Sequence, residues 1–265
     1  MKVEMENIGG SFEGKNLPVD QYLKRYKKMG NHVKRFIFSK KYSKGKKILD
    51  YGCGYGIGAS LLEDSYSRYV GIDIDPSAIE YGNKNFSLGE KINFYPISKI
   101  RENGLRETFD VGLCFEVLEH VKDPFELLDT LSKLIVKGGV LIISTPNGKS
   151  SNGNKRLYRT SYHIKEYGPK EFHEILSHFG DVELFGERRI DRLDLVHLRR
   201  RLNCRDLNEI KNYAIQVPEP SKSKLFELAY ILINDSIFWK IYRTSVQYEE
   251  TDINSSTLIG LIRMP

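Results

Sequence analysis

The chain has 265 residues, 40% hydrophobic and 29% charged, the composition of an ordinary soluble enzyme with ample material for one large α/β domain or a domain plus an elaboration. A formal charge of +6 and a pI near 9.0 allow a polyanionic partner without demanding one. Cys53, Cys114 and Cys204, an odd and widely spaced set, match neither a disulfide framework nor a zinc pattern, and the most apolar long window, Leu225 to Tyr242, is broken by Glu227, Asn234, Asp235, Ser236 and Lys240, which argues against a bilayer span.

The opening residues, MKVEMENIGG, contain no apolar stretch of signal-peptide length, so a cytoplasmic location is expected. Between residues 19 and 43, Tyr22, Leu23, Tyr26, Met29, Val33, Phe36, Ile37 and Tyr42 recur close to a helical period among lysines and arginines. One or two amphipathic helices are predicted over residues 1–44, packed beside or over the site that follows, with their basic face mainly solvated.

The stretch Lys46 to Gly58, KKILDYGCGYGIG, organises the rest. A short apolar strand ends at Asp50, and Gly52, Gly54, Gly56 and Gly58 follow at alternate positions. Glycine at that density lets a backbone turn sharply and close on a ligand as a helix begins. The dinucleotide fingerprint GxGxxG fails, because Ile57 stands where its third glycine belongs. An acid just before the loop repels a pyrophosphate but accepts hydrogen bonds from an ammonium group. Here the chain resembles the class I S-adenosylmethionine-dependent methyltransferases, of the broad type that includes ubiquinone-biosynthesis enzymes. The resemblance implies S-adenosylmethionine as cofactor, its methionine part wrapped by Asp50, Tyr51, Gly52, Cys53, Gly54 and Gly56. It further implies a Rossmann-like, doubly wound α/β sheet of seven strands, mostly parallel with an antiparallel last strand, plus a helical elaboration.

Downstream residues follow that pattern. Ile57 to Leu62 opens a helix, and YVGIDI, Tyr69 to Ile74, reads as a second strand ending in Asp73. A carboxylate at that tip can take both ribose hydroxyls, a role that the resemblance gives to Asp73, with Ile74 against adenine. Asp75, before Pro76, reads as a helix N-cap. Ile92 to Ile97 forms a third strand, after which many relatives place an Asp for the adenine amino group. This chain has Ser98 there.

Phe109 to Phe115 is the fourth strand, fully buried, and Glu116-Val-Leu-Glu119-His120-Val121 follows it. Phe115 and Glu116 close the set of cofactor-contacting positions that the resemblance implies. His120 suits a general base for an acceptor hydroxyl. Alternatively Glu116, Glu119, His120 and His163 hold a divalent metal, as in the small-RNA 2′-O-methyltransferases, or Glu119 and His120 merely order the following helix. The reading adopted assigns no metal and takes His120 and His163 as the catalytic pair.

Helical spacing from Asp123 to Val136 ends at Lys137-Gly138-Gly139, and Val140 to Ser144 is the fifth strand. A polar segment then carries His163, Glu166 and Tyr167, a string found in the acceptor pocket of relatives, as a closing lid or a tolerated insertion. Pro169 to Phe179 is a helix, Val182 to Phe185 the sixth strand, and Thr257 to Arg263 the last. The expected organisation is N-terminal helices over 1–44, a cofactor-binding core over 45–186, a helical cap or insertion over 187–250 carrying Arg199 to Arg201 and a helix near Leu225 to Tyr242, and the final core strand within 251–265. The expected function is methyl transfer to a small molecule, sugar or lipid-linked glycan, most naturally at a hydroxyl. An RNA acceptor is the second reading and a non-catalytic cofactor-binding protein the third. The oligomeric state is left open.

Overall fold

The structure, a computed structural model, describes residues 30–63, 65–102, 107–148, 163–189, 239–243 and 255–265. Helix α1 covers Gly30–Ser43, strand β1 Lys46–Tyr51, α2 Ile57–Leu61, β2 Tyr66–Asp73, α3 Pro76–Phe86, β3 Ile92–Pro96, α4 Ser98–Glu102 and β4 Phe109–Phe115. A single 3-10 turn, Leu118–His120, leads to α5, Pro124–Leu134. The remainder is β5 Ile135–Pro146, α6 Pro169–Ser177, β6 Asp181–Arg189, β7 Trp239–Arg243 and β8 Thr257–Arg263.

The eight strands of the described residues join one sheet in the order β3-β2-β1-β4-β5-β8-β6-β7. β1 pairs in parallel with β2 and β4, β2 with β3, and β4 with β5, while β8 runs antiparallel to both β5 and β6. The strand order reverses between β1 and β4, and a ligand crevice opens at such a point beyond the carboxyl ends of the strands. The central strands carry near-continuous apolar runs because both faces are covered. α1, α2 and α3 close one face through Val33, Phe36, Ile57, Ala59, Ile79 and Phe86. α5 and α6 close the other through Leu127, Leu128, Leu131, Phe172 and Leu176.

Local chemistry explains the helix starts nearest the crevice. Asp75 caps α3, accepting from Ser77 N–H at 2.8 Å with Pro76 at the first helical position. Asp123 caps α5, accepting from the Phe125 and Glu126 amides at 2.9 and 3.1 Å, ahead of Pro124. Each cap contributes about 1 kcal/mol.

Two expectations need correction. The helix predicted to run to Val136 stops at Leu134, and β5 begins at Ile135, nine residues before Ser144. β-branched Ile135 pairs with Phe109 across a register break in β4, and Gly138 absorbs the bend at φ 74°. The helix predicted up to Tyr242 is, over Trp239–Arg243, an eighth strand lying antiparallel to β6. The rest of that segment, including Arg199 to Arg201, lies outside the described residues, as do residues 1–29. One cation of α1, Arg35, turns inward and is fully buried. Among the described residues no helix is long and apolar enough to cross a membrane.

Candidate active site

The glycine loop is held at the tips of β1 and β2 mainly by backbone. Gly52 and Cys53 N–H both donate to Ile72 O, at 2.8 and 3.0 Å, and Gly56 N–H donates to Cys53 O at 3.0 Å. Gly52, Gly54 and Gly56 have φ of 79°, 52° and 84°, a region costing other residues about 1–2 kcal/mol. At Gly52 a side chain also lacks room, since an added Cβ would lie 2.4 Å from Val117 Cγ2. At Gly54 an added Cβ would meet nothing within 4 Å. The loop is thus packed on its inner side and open at its crest.

Asp50, at the end of β1, is buried and accepts a short hydrogen bond from the Tyr69 hydroxyl. Burial pushes its carboxyl up to about 7; the Tyr69 bond opposes that rise and the charge of Asp73 adds to it. Asp73, at the tip of β2, accepts from Gly54 N–H at 2.7 Å on Oδ2 and from Asp75 N–H at 2.9 Å on Oδ1. Its pKa is raised, burial outweighing those two amide bonds. Each oxygen retains a lone pair for a ligand hydroxyl. Ile74 beside it is 37% exposed, an apolar surface at a strand tip. Ile97 N–H donates to Asp73 O at 2.9 Å, which sets Ser98, partly buried at the start of α4, alongside. Tyr51 and Cys53 are buried, the Cys53 thiol pushed up by burial and by the charges of Asp50 and Asp73. An open loop crest, an exposed Ile74 and two acids fit an adenosine bearing a cationic amino acid.

Across the sheet the tip of β4 is built differently. Phe115 meets Phe36 of α1 edge-on at 5.2 Å. Glu116 adopts φ 55°, alone in that region among the described non-glycine residues. Its N–H donates to Ser144 O at 3.0 Å, and Ser144 Oγ donates to its Oε1 at 2.9 Å. Arg35 reaches the same atoms from below, with Nη1 2.6 Å from Glu116 Oε1 and 2.8 Å from Ser144 Oγ, and Nε 3.3 Å from Glu187 Oε2. Burial alone would lower the Arg35 pKa, but Glu116, Glu187 and Glu119 raise it overall. Burial pushes Glu187 up to about 8 against the pull of Arg35.

The 3-10 turn brings Glu119 and His120 round to His163. Thr145 Oγ1 donates to Glu119 Oε2 at 3.1 Å, and the Ile164 and Lys165 amides donate to Glu119 O at 2.8 and 3.2 Å. The 163–167 segment is therefore tied directly to the turn. The His120 and His163 rings pack edge to face at 4.9 Å, and His163 Nδ1 lies 3.0 Å from Glu166 Oε1. His120 Nε2 is 3.8 Å from Glu119 Oε1. Burial, then the charge of Glu116, holds the Glu119 carboxyl well above its usual range. One ligand atom from each of Glu119, His120 and His163 lies within 4.8 Å of the others, a donor set able to take a divalent ion.

The two predicted catalytic histidines are thus adjacent although 43 positions apart, and the predicted cofactor positions lie at the β1, β2, β3 and β4 tips. Sequence reasoning missed Arg35, Ser144, Thr145 and Tyr69. The one available signal was the Arg35-Ser39-Ser43 stripe at four-residue spacing, which the structure buries on α1.

This fold, glycine loop and pair of strand-tip acids define a Rossmann-like S-adenosylmethionine-dependent methyltransferase. The family model described as a methyltransferase domain matches residues 22–181, more than half of the chain, and the chain belongs to that family. The mitochondrial ubiquinone biosynthesis O-methyltransferase of Schizosaccharomyces pombe is 38% identical over 104 residues, which cover 38% of each protein. The chain thus spans about two fifths of that relative's length. A solved S-adenosylmethionine-dependent methyltransferase from Archaeoglobus fulgidus superposes with a TM-score of 0.55 at 18% identity, over 90% of this chain and 94% of that one. The [4+2]-cyclase SpnF superposes at 0.52 and 13% identity, over 90% and 81%. That last likeness shows how little the shared fold says about the chemistry at the acceptor end.

Proposed function

We propose that the protein transfers the methyl group of S-adenosylmethionine to a hydroxyl of a small molecule, a class in which we include sugars and lipid-linked glycans. The carrying observation is the His120–His163 pair at the carboxyl edge of the sheet, beside Glu119. In this reading the loop at Gly52, Cys53, Gly54 and Gly56, with Tyr51, wraps the methionine end, and Asp50 faces its ammonium group. Asp73 takes the ribose hydroxyls, Ile74 and Ser98 the adenine, and Phe115 and Glu116 the side toward the acceptor.

The bound cofactor supplies an electrophilic methyl carbon. The protein's task is to hold the acceptor oxygen in line and dry, which accounts for much of the rate in a displacement. His120, 26% exposed, takes the hydroxyl proton as the oxygen attacks, while Glu166 on His163 Nδ1 fixes the orientation of the neighbouring ring. An oxygen acceptor is also what the names of the curated O-methyltransferase relatives support.

A second reading rests on the Glu119, His120 and His163 cluster. There a divalent cation would bind the acceptor oxygen and lower its pKa, so that neither histidine need act as base. Release of S-adenosylhomocysteine should be measured over a panel of catechols, sugars and glycans, with and without EDTA. Turnover that survives EDTA and fails in His120→Ala supports the general base. Loss in EDTA with recovery on added metal favours the cation, and no turnover of any hydroxyl alongside tight cofactor binding sinks the hydroxyl assignment. A parallel RNA arm should show steep salt dependence if the acceptor were a nucleic acid.

A further inference from the structure

Arg35 has 0% exposure, and a guanidinium is placed in a core only where its charge and donors are met. Its Nη1 and Nε reach the carboxyl ends of three strands of the sheet: Glu116 just past β4, Ser144 in β5 and Glu187 in β6. The helix that brings it is shaped for the approach. Ser39 Oγ donates to Arg35 O at 2.8 Å and Ser43 Oγ to Ser39 O at 2.9 Å, so the face of α1 that meets the sheet carries small side chains bonded back to the helix.

The group that Arg35 holds is the strained one. Glu116 sits at φ 55°, which costs a branched or long side chain about 1–2 kcal/mol and persists only where surroundings impose it. Arg35 Nη1 and Ser144 Oγ both engage Oε1. The next residue, Val117, has Cγ2 2.4 Å from where a Gly52 Cβ would stand. The Glu116–Val117 turn is therefore a wall of the cofactor loop.

We propose that Arg35 is a positioning residue for the cofactor: acting from beneath the sheet through Glu116, it fixes the left-handed Glu116–Val117 turn against Gly52 and so sets the affinity for S-adenosylmethionine. The inference rests on the site reading above, in which Glu116 borders the cofactor. A forked guanidinium is required because Nη1 and Nε serve different carboxylates at once, which a single ammonium does less well.

The test is calorimetric titration with S-adenosylmethionine of wild type, Arg35→Met, Arg35→Lys, Glu116→Gln and the Arg35→Met/Glu116→Gln double variant, each with its melting temperature. Arg68→Met is the control, since Arg68 pairs with Glu107 at the opposite end of β2. Arg35→Met and Glu116→Gln should each weaken binding about tenfold or more, and Arg35→Lys should recover part of that loss. The double variant should be no worse than the weaker single one, as expected when two residues act through one contact. Wild-type affinity in a folded Arg35→Met, or losses that simply add, would overturn the proposal. Should Arg35→Met not fold, Arg35→Lys and Glu116→Gln decide it, and wild-type affinity in Glu116→Gln is enough to sink it. Failure of the wild type itself to bind would remove the site reading, and this inference with it.

Discussion

The tips of β1 and β2 and the tips of β4 and β5 border the same crevice, yet they are ordered by different interactions. On the first side the contacts are close in sequence and largely backbone: Gly52 and Cys53 to Ile72, and Gly54 to Asp73 nineteen positions on. On the second they are side chain to side chain and distant: Arg35 to Ser144 over 109 positions, Ser144 to Glu116 over 28, Thr145 to Glu119 over 26. A cradle for a fixed ligand can be made from glycines and two acids. The acceptor side is built instead from long side chains, and burying charges such as Arg35 and Glu116 there is tolerable only where they meet one another.

That contrast is sharpest where the two sides should fail in different observables. His120→Ala is expected to cut turnover by about 10²–10⁴-fold, the range for a lost general base, with the S-adenosylmethionine dissociation constant unchanged. Steady-state S-adenosylhomocysteine release and calorimetry check the two halves of that statement. Equal losses in both would mean that the cofactor and acceptor sides are not separable. Asp73→Ala should do the reverse. Removing two hydrogen bonds to a charged group, at about 1.5–3 kcal/mol each, together with the anchor for Gly54, predicts an affinity loss of about 10²-fold or more and a fold that persists by circular dichroism. Undiminished binding would remove Asp73 from the cofactor site.

Within the glycine loop the comparison narrows to single atoms. Gly52→Ala must accommodate φ 79° and a methyl group 2.4 Å from Val117 Cγ2, whereas Gly54→Ala meets φ 52° with nothing within 4 Å. We expect Gly52→Ala to lose about 2–3 kcal/mol and Gly54→Ala about 1 kcal/mol of stability in urea denaturation. Gly54→Ala should instead weaken cofactor binding more than it weakens the fold, because its open space is where a ligand would lie. Equal stability losses would mean that Val117 yields freely and that the turn is not a wall.

The same division explains what could be read from the chain alone. The glycine loop, Asp50, Asp73 and the Asp75 cap were legible because their chemistry is written over one short stretch, positions 50 to 75, and the apolar strands announced themselves by runs such as FDVGLCF. His120 was legible as a candidate, but only a resemblance placed His163 in the same site, since nothing local links positions so far apart, and their ring packing came from the structure. Arg35 left only a faint trace, the four-residue spacing of Arg35, Ser39 and Ser43. In an amphipathic pattern rich in lysine and arginine, one cation turned inward has the same letter as those turned outward, and only the sheet behind it reveals the difference. β7 escaped for a related reason, because WKIYR continues an apolar window that suits a helix equally well. The premature end of α5 at Leu134 was decided by pairing of Ile135 with Phe109, a partner twenty-six positions upstream.

A last prediction tests the cofactor side through protons. The Asp50 carboxyl is raised to about 7 from 3.8 by burial, so the free protein holds a proton there that the unfolded chain has lost. The folded state therefore binds more protons between those values. The contribution of Asp50 to stability is complete below about pH 4 and is lost as pH rises through 7. Glu187, raised to about 8, adds a loss of the same sign. Binding works the other way. An ammonium group beside Asp50 stabilises its ionised form and lowers its pKa in the complex, so affinity should rise with pH where stability falls. One unit of pKa difference between free and bound protein corresponds to about tenfold in affinity. Calorimetry from pH 5.5 to 7.5 should show S-adenosylmethionine binding tightening by about that factor, with proton release that depends on the buffer. Asp50→Asn should flatten both the affinity profile and its share of the stability slope. A wild-type affinity flat across that range, with no proton release, would mean that Asp50 meets no cation of the cofactor and serves only as the buried partner of Tyr69.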